Sequence, residues 1–306
     1  MRVLFAGSPQ VAVPTLRALV NSSHTVVGVL TQPPRPLGRK RVLTPTAVAL
    51  AAEAAGVPVV TPRDSEGILD AVQLWKPDVA LVVAYGRLLS QAELESVPEG
   101  WWNVHFSLLP RWRGAAPVPY SIAAGDTTTG MSVFRIEAGL DTGPIASTTE
   151  YPIAPHDTTN TVLTKLSELA PALVLAFLDD VESQGVRASV QTGEVSLAPI
   201  PPASVGEMSW RSPVSELYNR FRAWHEEPGC YSYRTDTDQR VNILEAWPEY
   251  EHAGLEPGKI LLADDGVAVG TGTTPLMLGR VQPAGKGPMS AKDWFRGLPP
   301  GVGFRA

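Results

Sequence analysis

The first half of the chain alternates between short apolar runs that are rich in β-branched residues and longer stretches in which apolar residues recur with helical spacing. The runs predicted as strands are 2–5, 25–30, 57–60, 78–83 and 101–105. The stretches predicted as helices are 11–20, 46–55 and 65–75. Strands that alternate with helices in this way form a parallel sheet that is covered by helices. The alternation therefore predicts an α/β fold whose first domain is Rossmann-like, with a mostly parallel sheet.

The turn after the first predicted strand bears on the choice of ligand. It reads Ala-Gly-Ser-Pro at 6–9, at the place where a Rossmann fold carries its phosphate-binding glycines. Only Gly7 is present, so the GxGxxG pattern is absent. This absence disfavours a nicotinamide cofactor.

The length and a change of texture near residue 190 predict two domains. A chain of 306 residues has room for two domains, at roughly 150 residues each. The segment LAPIPPA at 197–203 is rich in proline and indicates a linker. Beyond it, 259–262, 266–269 and 275–281 resemble short strands between Gly and Asp turns, which is typical of a small β domain. We predict a catalytic domain at 1–190, a linker at 191–205 and a C-terminal domain at 206–306.

Composition narrows the class of protein. With 44% hydrophobic and 18% charged residues, the chain is typical of a globular protein. The sequence contains no run of about 18 continuous apolar residues, so it predicts no membrane-spanning helix. The opening residues, MRVLFAGSPQ, lack the regions of a signal peptide. We therefore expect a cytoplasmic protein, without a membrane partner and monomeric.

Cysteine, histidine and charge limit the chemistry further. The single cysteine, Cys230, excludes an intramolecular disulfide and fits a reducing compartment. Five histidines are scattered without metal-ligand spacing, so we predict no metal. The net charge of -6 argues against a polyanionic partner in general. Any contact with RNA must therefore be local.

Polar residues suited to acid–base chemistry lie in and after the predicted strand 101–105. Side chains alternate along a strand, so Asn103 and His105 project from the same face, at the sheet edge where open α/β folds bind ligands. Asp141 lies in a Gly-Leu-Asp-Thr-Gly loop that can bring a carboxylate close to a buried wall. Taken singly, each also has a structural explanation: a hydrogen-bonded histidine, a capping asparagine and an aspartate in a turn.

Three motifs in this stretch follow one another in an order that is characteristic of a protein family. They are Asn-x-His-x-Ser-Leu-Leu-Pro at 103–110, Arg-x-Arg-Gly at 111–114 and Asp-x-Gly at 141–143, and their order resembles the folate-dependent formyltransferase family. Other strings resemble the family's landmarks: FAGSPQVAVPTL, TQPPRPLGRKR, VVAYGRLL and QPAGKGPMSAKD. The string SLLPRWRGAAP resembles the members that act on tRNA. The resemblance covers nearly the whole chain and implies that the C-terminal domain is an OB-like β-barrel.

The resemblance implies transfer of a formyl group from 10-formyltetrahydrofolate to the amino group of methionyl initiator tRNA, for translation initiation. Such a transfer passes through a tetrahedral oxyanion and needs an oxyanion donor and a proton carrier. By the resemblance, the side-chain amide of Asn103 donates to the oxyanion, and His105 stabilises it or carries protons. Asp141 holds charge on His105, or takes the amine proton through water.

The resemblance also implies the position of the folate site. Ser107, Leu108, Leu109 and Pro110 match the family segment that lines it, and an apolar wall with exposed backbone amides suits a flat pterin ring. Leu108 and Leu109 are compatible with a core role as well. Tyr85 and Gly86, which follow the predicted strand 78–83, are expected to line the same crevice.

Basic residues suggest where tRNA binds. Segment 31–46 has no acidic residue, and its Pro and Gly content excludes a regular helix, so we expect a mobile loop. In the family the corresponding loop reaches the acceptor end of tRNA, which implies tRNA contacts for Arg35, Arg39, Lys40 and Arg41. Two further candidates, Arg111 and Arg113, flank Trp112, which offers a stacking face. A structural salt bridge is an equal alternative for Arg113.

Two departures from the family pattern leave the reaction unchanged but predict a shifted affinity. The segment APIPPASVGEMSW lacks the usual lysine before the C-terminal domain, and FRAWHEEPG places Glu226 and Glu227 where acidic groups do not favour RNA.

The alternatives within the superfamily are a formyltetrahydrofolate hydrolase and an amino-sugar formyltransferase. A glycinamide ribonucleotide formyltransferase would lack the second domain. Two alternatives lie outside the superfamily. The missing GxGxxG pattern disfavours a dinucleotide-dependent oxidoreductase, and the excess of acidic residues disfavours a non-catalytic RNA-binding protein.

Overall fold

The chain divides into two compact units. The computed structural model describes residues 1–38, 40–249 and 254–306. The N-terminal unit comprises Met1–Pro117, Thr128–Pro152 and Asn160–Pro199. The C-terminal unit comprises Val118–Thr127, Ile153–Thr159 and Ile200–Ala306. Residues 191–199 of the predicted linker therefore belong to the compact N-terminal unit, while the domain boundaries themselves stay a prediction.

Strands and helices alternate through the N-terminal unit. Its strands are β1 (Arg2–Gly7), β2 (Thr25–Leu30), β3 (Arg35–Leu37), β4 (Val42–Thr44), β5 (Val59–Val60), β6 (Val79–Val83), β7 (Trp101–His105), β8 (Thr128–Arg135) and β9 (Ile145–Pro152). The α-helices between Met1 and Pro199 are α1 (Val13–Val20), α2 (Ala47–Ala54), α3 (Ser65–Trp75), α4 (Gln91–Glu95), α5 (Pro117–Ala123) and α6 (Thr159–Gln184). All of α5 except Pro117 belongs to the C-terminal unit. The strands predicted at 25–30 and 101–105 and the helix predicted at 65–75 are confirmed at both ends.

The predicted mostly parallel sheet is confirmed. Seven strands lie in the order β5-β2-β1-β6-β7-β8-β9. The first five run parallel, whereas β8 is antiparallel to both β7 and β9. Gly7 pairs with Val83 and Val82 pairs with Asn103, so β1, β6 and β7 end side by side. The residues that follow these strands meet at one edge of the sheet.

Local sequence explains why the sheet and its helices pack. Every residue of β6, VALVV, is buried, as expected for a central parallel strand. Gly28 in β2 lies against Trp75 of α3, and a Cβ at this position would overlap the indole ring. The side chains of Thr46 and Asp64 cap α2 and α3 by accepting backbone N–H bonds. The caps stabilise the starts of the two helices, and the absence of a side chain at Gly28 lets α3 pack closely on β2.

Helix α6 passes a length-and-composition test for crossing a membrane. It has 26 residues and a mean hydropathy of 1.6 over its most apolar window, and it is the one such helix among the described residues. Its buried residues include Val162, Leu166, Val174 and Leu178, which recur with helical spacing. A core helix passes the same test, so the finding is weak evidence for a membrane span.

The predicted small C-terminal β domain is confirmed as an antiparallel sheet. Its elements are α7 (Val214–Trp224), β10 (Cys230–Tyr233), β11 (Arg240–Pro248), β12 (Ile260–Leu262), β13 (Val267–Val269), β14 (Leu276–Pro283), β15 (Met289–Ser290) and α8 (Ala291–Arg296). The strands lie in the order β10-β11-β14-β13-β12, with β15 also on β14. Trp210 and Trp294 stack on Phe304 at centroid distances of 5.3 and 5.4 Å. Cys230 is a buried free thiol.

Candidate active site

His105 ends β7 in a buried position with its two ring nitrogens in different surroundings. Nε2 lies 2.8 Å from the carbonyl oxygen of Trp112. A carbonyl only accepts, so Nε2 carries the hydrogen and donates it. Nδ1 faces Asp141 and lies 3.7 Å from its Oδ2. In the neutral ring, Nδ1 is therefore the basic atom.

Burial decides the charge of His105. It lowers the pKa of the imidazole below its ordinary value, because the charged form loses solvation. The Asp141 carboxylate and the Trp112 carbonyl act in the opposite direction and raise this pKa, but less strongly. The imidazole is thus neutral at neutral pH. When a proton arrives at Nδ1, both N–H groups of the imidazolium have an acceptor close by.

Asp141 is held by its loop in a fixed position. Its φ of 49° lies in the left-handed region, which few residues other than glycine adopt without cost. Its Oδ2 accepts the Gly114 N–H at 2.7 Å. Gly143, two residues on, lies so close to the Arg135 carbonyl that a Cβ would overlap it. Glycine at 143 thus permits the close approach that places the Asp141 loop.

Asn103 lies two residues before His105 on the same strand, half-buried. The alternation of β7 places the two side chains on one face, as predicted. Among the residues that the structure describes, the side-chain amide of Asn103 has no hydrogen-bond partner. It can therefore donate to a ligand without first breaking an internal bond.

Predicted folate residues after His105 form a tight turn. Ser107 is fully buried, and its hydroxyl donates to the Arg111 carbonyl at 2.6 Å. The Leu109 N–H donates to Ser132 Oγ at 3.0 Å, and the Ser132 hydroxyl donates to the Ser107 carbonyl at 2.8 Å. Leu108 is half-buried, whereas Leu109 and Pro110 are buried. Ser107 thus stabilises the turn from inside, and the folate contacts of this segment stay a prediction.

Tyr85 and Gly86 follow β6, next to β7. Tyr85 is buried, and burial raises the pKa of its phenol to about 12. Its backbone carbonyl accepts the Ser8 hydroxyl at 3.1 Å, which joins the segments that follow β1 and β6. Gly86 has a φ of 78° and is exposed, with open space where a Cβ would stand. Open backbone beside the strand edge is compatible with the predicted crevice.

The basic segment 31–46 contains a two-stranded hairpin where a loop was predicted. Strands β3 and β4 pair from Arg35↔Thr44 to Leu37↔Val42. The Pro and Gly residues that exclude a helix are compatible with this short antiparallel pair, whose turn contains Gly38 at a φ of 67°. The predicted tRNA residues Arg35, Lys40 and Arg41 are exposed on it. Arg39 lies outside the described residues, and the mobility of the segment stays a prediction.

The two arginines next to Trp112 differ in their surroundings. Arg111 is exposed, and its guanidinium lies 5.4 Å from the centroid of the Trp112 ring. Arg113 is half-buried and donates to Gln191 Oε1 from Nε at 3.1 Å and from Nη2 at 2.7 Å. The partner of Arg113 is thus a neutral amide, and the tRNA contacts of both arginines stay a prediction.

Sequence reasoning missed two side chains that support the site, Gln191 and Ser196, and one buried carboxylate, Glu93, that stabilises the start of α4. Gln191 and Ser196 bond to the loops that hold Asp141 and Trp112. Glu93 is buried, accepts from Arg87 at 3.3 Å and closes a capping box with Ser90. The Ser-x-x-Glu spacing at 90–93 is a recognisable capping signal. Gln191 and Ser196 carry no comparable signal.

One cluster of ionisable groups was not predicted from spacing. His24 Nε2 lies 3.2 Å from Asp179 Oδ1, and Glu182 completes a group of three possible ligand atoms within 4.8 Å of one another. The two acidic residues are exposed on α6. Exposed acidic groups near a histidine are common without a metal, so the absence of a metal stays a prediction.

Comparison with known proteins identifies the family. The family model described as formyl transferase matches residues 1–178, and that for the formyl transferase C-terminal domain matches 203–299. A methionyl-tRNA formyltransferase of Arthrobacter sp. is 44% identical over 97% of both chains. One of Salinispora arenicola is 42% identical over 99% of both chains.

Solved structures share the fold at low identity. WlaRD, a sugar 3N-formyl transferase, has a TM-score of 0.70 at 16% identity and covers 94% of this chain and 98% of its own. HypX from Aquifex aeolicus, in complex with tetrahydrofolic acid, has a TM-score of 0.65 at 16% identity over 96% of this chain, which spans only 47% of HypX. Because both family models match and the relatives align from end to end, the chain belongs to the formyltransferase family.

Proposed function

We propose that this chain transfers a formyl group from 10-formyltetrahydrofolate to the amino group of the methionyl residue on initiator tRNA. The observation that carries the proposal is the setting of His105, which keeps Nε2 on the Trp112 carbonyl and presents Nδ1 towards Asp141. The relatives reported above, at 42% and 44% identity over nearly their whole length, are named for this activity.

The proposed reaction begins with attack of the free amine on the formyl carbon. A new C–N bond forms, and the carbonyl oxygen becomes an oxyanion that accepts a hydrogen bond from the Asn103 amide. The attacking nitrogen loses a proton to His105 Nδ1, directly or through one water. The imidazolium donates from Nε2 to Trp112 and is held from the other side by the Asp141 charge.

Collapse of the tetrahedral intermediate completes the transfer. The bond between the formyl carbon and N10 of the folate breaks, and the electron pair remains on N10. The proton stored on His105 moves to this leaving nitrogen, so that N10 departs as a neutral amine and the histidine is again basic. Protons and electrons balance without any further reactant, so the folate is the only co-substrate that this scheme needs.

The folate co-substrate is proposed to lie at the carboxyl edge of the sheet. Open α/β sheets bind ligands outside the ends of their strands. The segment after β6 that contains Tyr85 and Gly86 and the turn at 107–110 adjoin this edge because β6 and β7 are neighbours. The folate ligands of two related structures support this site: HypX is in complex with tetrahydrofolic acid, and WlaRD was solved in the presence of 5-N-formyl-THF.

The acceptor end of tRNA is proposed to contact the hairpin β3–β4. Its exposed cations offer phosphate contacts despite a net charge of -6 for the chain. Three apolar side chains of the same hairpin are exposed as well, Leu37, Val42 and Leu43 at 59%, 59% and 67%. Such side chains can pack on an exposed base, which supports a nucleic-acid ligand over a simple solvated turn. The C-terminal domain would support the tRNA, and we expect a cytoplasmic monomer.

The proposal is tested by following radiolabelled formyl from 10-formyltetrahydrofolate into methionyl initiator tRNA. The wild-type chain is expected to transfer the label, and His105→Ala is expected to lose at least about 100-fold in rate. The matched control is His156→Ala, because His156 is exposed in the C-terminal unit. Release of labelled formate without transfer would indicate a formyltetrahydrofolate hydrolase instead. Transfer only to a nucleotide-linked amino sugar would indicate an amino-sugar formyltransferase.

A further inference from the structure

Segment 189–198, called here the strap, follows α6 and is bonded to the candidate site along its length. At its start, Ser189 exchanges two backbone hydrogen bonds with Ile145, at 2.8 and 2.9 Å. At its end, the Ala198 N–H donates to the Arg113 carbonyl at 2.7 Å. The strap therefore spans from the residues after the Asp141 loop to the loop 110–116, which carries Trp112.

Gln191 joins these two loops through a single amide. Its Oε1 accepts two bonds from the Arg113 guanidinium, at 3.1 and 2.7 Å. Its Nε2 donates to the carbonyls of Asp141 and Gly143, both at 2.8 Å. The amide thus makes all four bonds of which it is capable. Its orientation is unique, since a guanidinium only donates and the two carbonyls only accept.

Ser196 bonds to Trp112, and the Trp112 carbonyl in turn accepts the hydrogen of His105 Nε2. Its Oγ accepts the Trp112 N–H at 2.9 Å, and its carbonyl accepts the Arg113 N–H at 2.9 Å. Trp112 has a φ of 60°, in the left-handed region that a bulky residue rarely adopts. A conformation of this kind persists only where its surroundings hold it. The bond to Ser196 is part of that support.

We propose that the strap is a positioning element of the active site, in which Gln191 sets the Asp141 loop and Ser196 sets the Trp112 carbonyl, and that together they fix the tautomer of His105. The inference rests on the proposed function, because it assumes that His105 carries protons. Neither residue touches the reacting atoms in this assignment. Gln191 acts through the position of Asp141, and Ser196 acts through the position of the Trp112 carbonyl.

The distances show why such support matters. Asp141 Oδ2 lies 3.7 Å from Nδ1, beyond hydrogen-bond range, so a small movement of the loop decides whether an imidazolium gains this bond. The Trp112 carbonyl at 2.8 Å selects the tautomer with hydrogen on Nε2. A misplacement of about 1 Å in groups of this kind can reduce a rate about 100-fold.

The first experiment compares Gln191→Met and Gln191→Glu in the transfer assay. Methionine keeps the length of the side chain and removes all four bonds, so kcat is expected to fall about 10- to 100-fold with the two KM values little changed. Glutamate keeps the acceptor for Arg113 but has no donor for the two carbonyls. It is expected to be as slow as Gln191→Met, and wild-type kcat in Gln191→Glu would overturn the role of Gln191 in placing Asp141.

Ser183→Ala is the matched control for Ser196→Ala. The Ser183 hydroxyl is exposed and, within the described part of the chain, bonds only to carbonyls of its own helix, at Asp179 and Asp180. Ser196→Ala is expected to lower kcat, whereas Ser183→Ala is expected to keep the wild-type value. If Ser196→Ala loses thermal stability but retains the wild-type kcat and pH profile, the strap is only structural and the proposal is wrong.

A second readout does not depend on the acceptor of the formyl group. Nitrogen NMR of the labelled chain can assign His105 among only five histidines, with His105→Ala identifying its signal. The wild type is expected to show hydrogen on Nε2, and Ser196→Ala a mixture of tautomers. An unchanged tautomer and an unchanged titration in both Ser196→Ala and Gln191→Met would overturn the inference, even if the formyl acceptor proved to be another amine.

Discussion

At the scale of single residues, His105 owes its behaviour to its neighbours rather than to its type. Burial alone would leave a neutral ring with either nitrogen protonated. The Trp112 carbonyl removes this choice by taking the Nε2 hydrogen, which leaves Nδ1 as the base. The Asp141 carboxylate lies on the side where the proton arrives. The arrangement lets the His105 imidazole take up and release a proton at Nδ1 instead of carrying a permanent positive charge.

Asn103→Ala tests the proposed oxyanion donor. Its amide has no partner among the described residues, so the substitution removes a ligand contact rather than an internal bond. Loss of one oxyanion donor typically costs about 100- to 1,000-fold in kcat, and we expect that loss with an unchanged melting temperature. Steady-state kinetics measure it, with exposed Asn160→Ala as the control. A kcat within about 10-fold of wild type would remove Asn103 from the oxyanion site.

The acid limb of the pH–rate profile tests His105 and Asp141 together. Burial lowers the pKa of His105 below 6.5, so kcat/KM should fall only as the pH drops through that lowered value. The Asp141 carboxylate raises this pKa by stabilising the imidazolium. Asp141→Asn removes this effect, and the limb should move to still lower pH. Comparing both enzymes on one substrate cancels titration of the substrate amine, and a limb that moved upward would contradict the assignment.

At the scale of elements, the loops matter more to the site than the strands that end at it. The Asp141 loop lies against β8 because Gly143 approaches the Arg135 carbonyl more closely than any side chain allows. Its other contacts come from the strap and from Gly114, whose N–H bonds to Asp141. Irregular segments with full backbone satisfaction can be as well defined as strands.

Gly143→Ala tests this close approach. The added methyl must displace the Arg135 carbonyl or the loop, which we expect to lower the free energy of unfolding by about 1–3 kcal/mol and to reduce kcat. Gly287→Ala is the control, because a Cβ there meets open space. Chemical denaturation and the transfer assay measure the two effects. Equal behaviour of the two alanine variants would show that the Asp141 loop adapts without cost.

The hairpin β3–β4 is tested by a double substitution, Lys40→Ala with Arg41→Ala. If these cations contact phosphates, KM for tRNA should rise several-fold, KM for the folate should stay constant and the salt dependence of tRNA binding should weaken. A control pair with the same charge change is Arg17→Ala with Arg63→Ala, both exposed on other parts of the N-terminal unit. An equal effect of both pairs would indicate general electrostatics instead of a local contact.

Sequence predicted the regular elements better than the supports of the site. Alternation on one strand was enough to place Asn103 and His105 on one face, and motif order implied Asp141. Helix α6 was not predicted, and Pro171 within it interrupts the usual pattern of a helix. The contacts of Gln191 cross 50 residues to Asp141 and 78 to Arg113, so no local periodicity reports them. Long-range pairing between two irregular segments is visible only in the folded chain.

At the scale of the whole molecule, charge and chain length both bear on the function. The net charge of -6 means that attraction of tRNA cannot come from the protein as a whole. The family models match both the N-terminal part and the C-terminal part, so the second unit is a regular component of the family.

The most direct test of the central claim follows one radiolabelled formyl group in a mixture of possible acceptors. The mixture contains 10-formyltetrahydrofolate, the wild-type chain, methionyl initiator tRNA, a nucleotide-linked amino sugar and water. The account predicts that the label appears on the methionyl amino group of the tRNA and that this product disappears with His105→Ala. Label recovered as formate or on the sugar, with none on the tRNA, would contradict it.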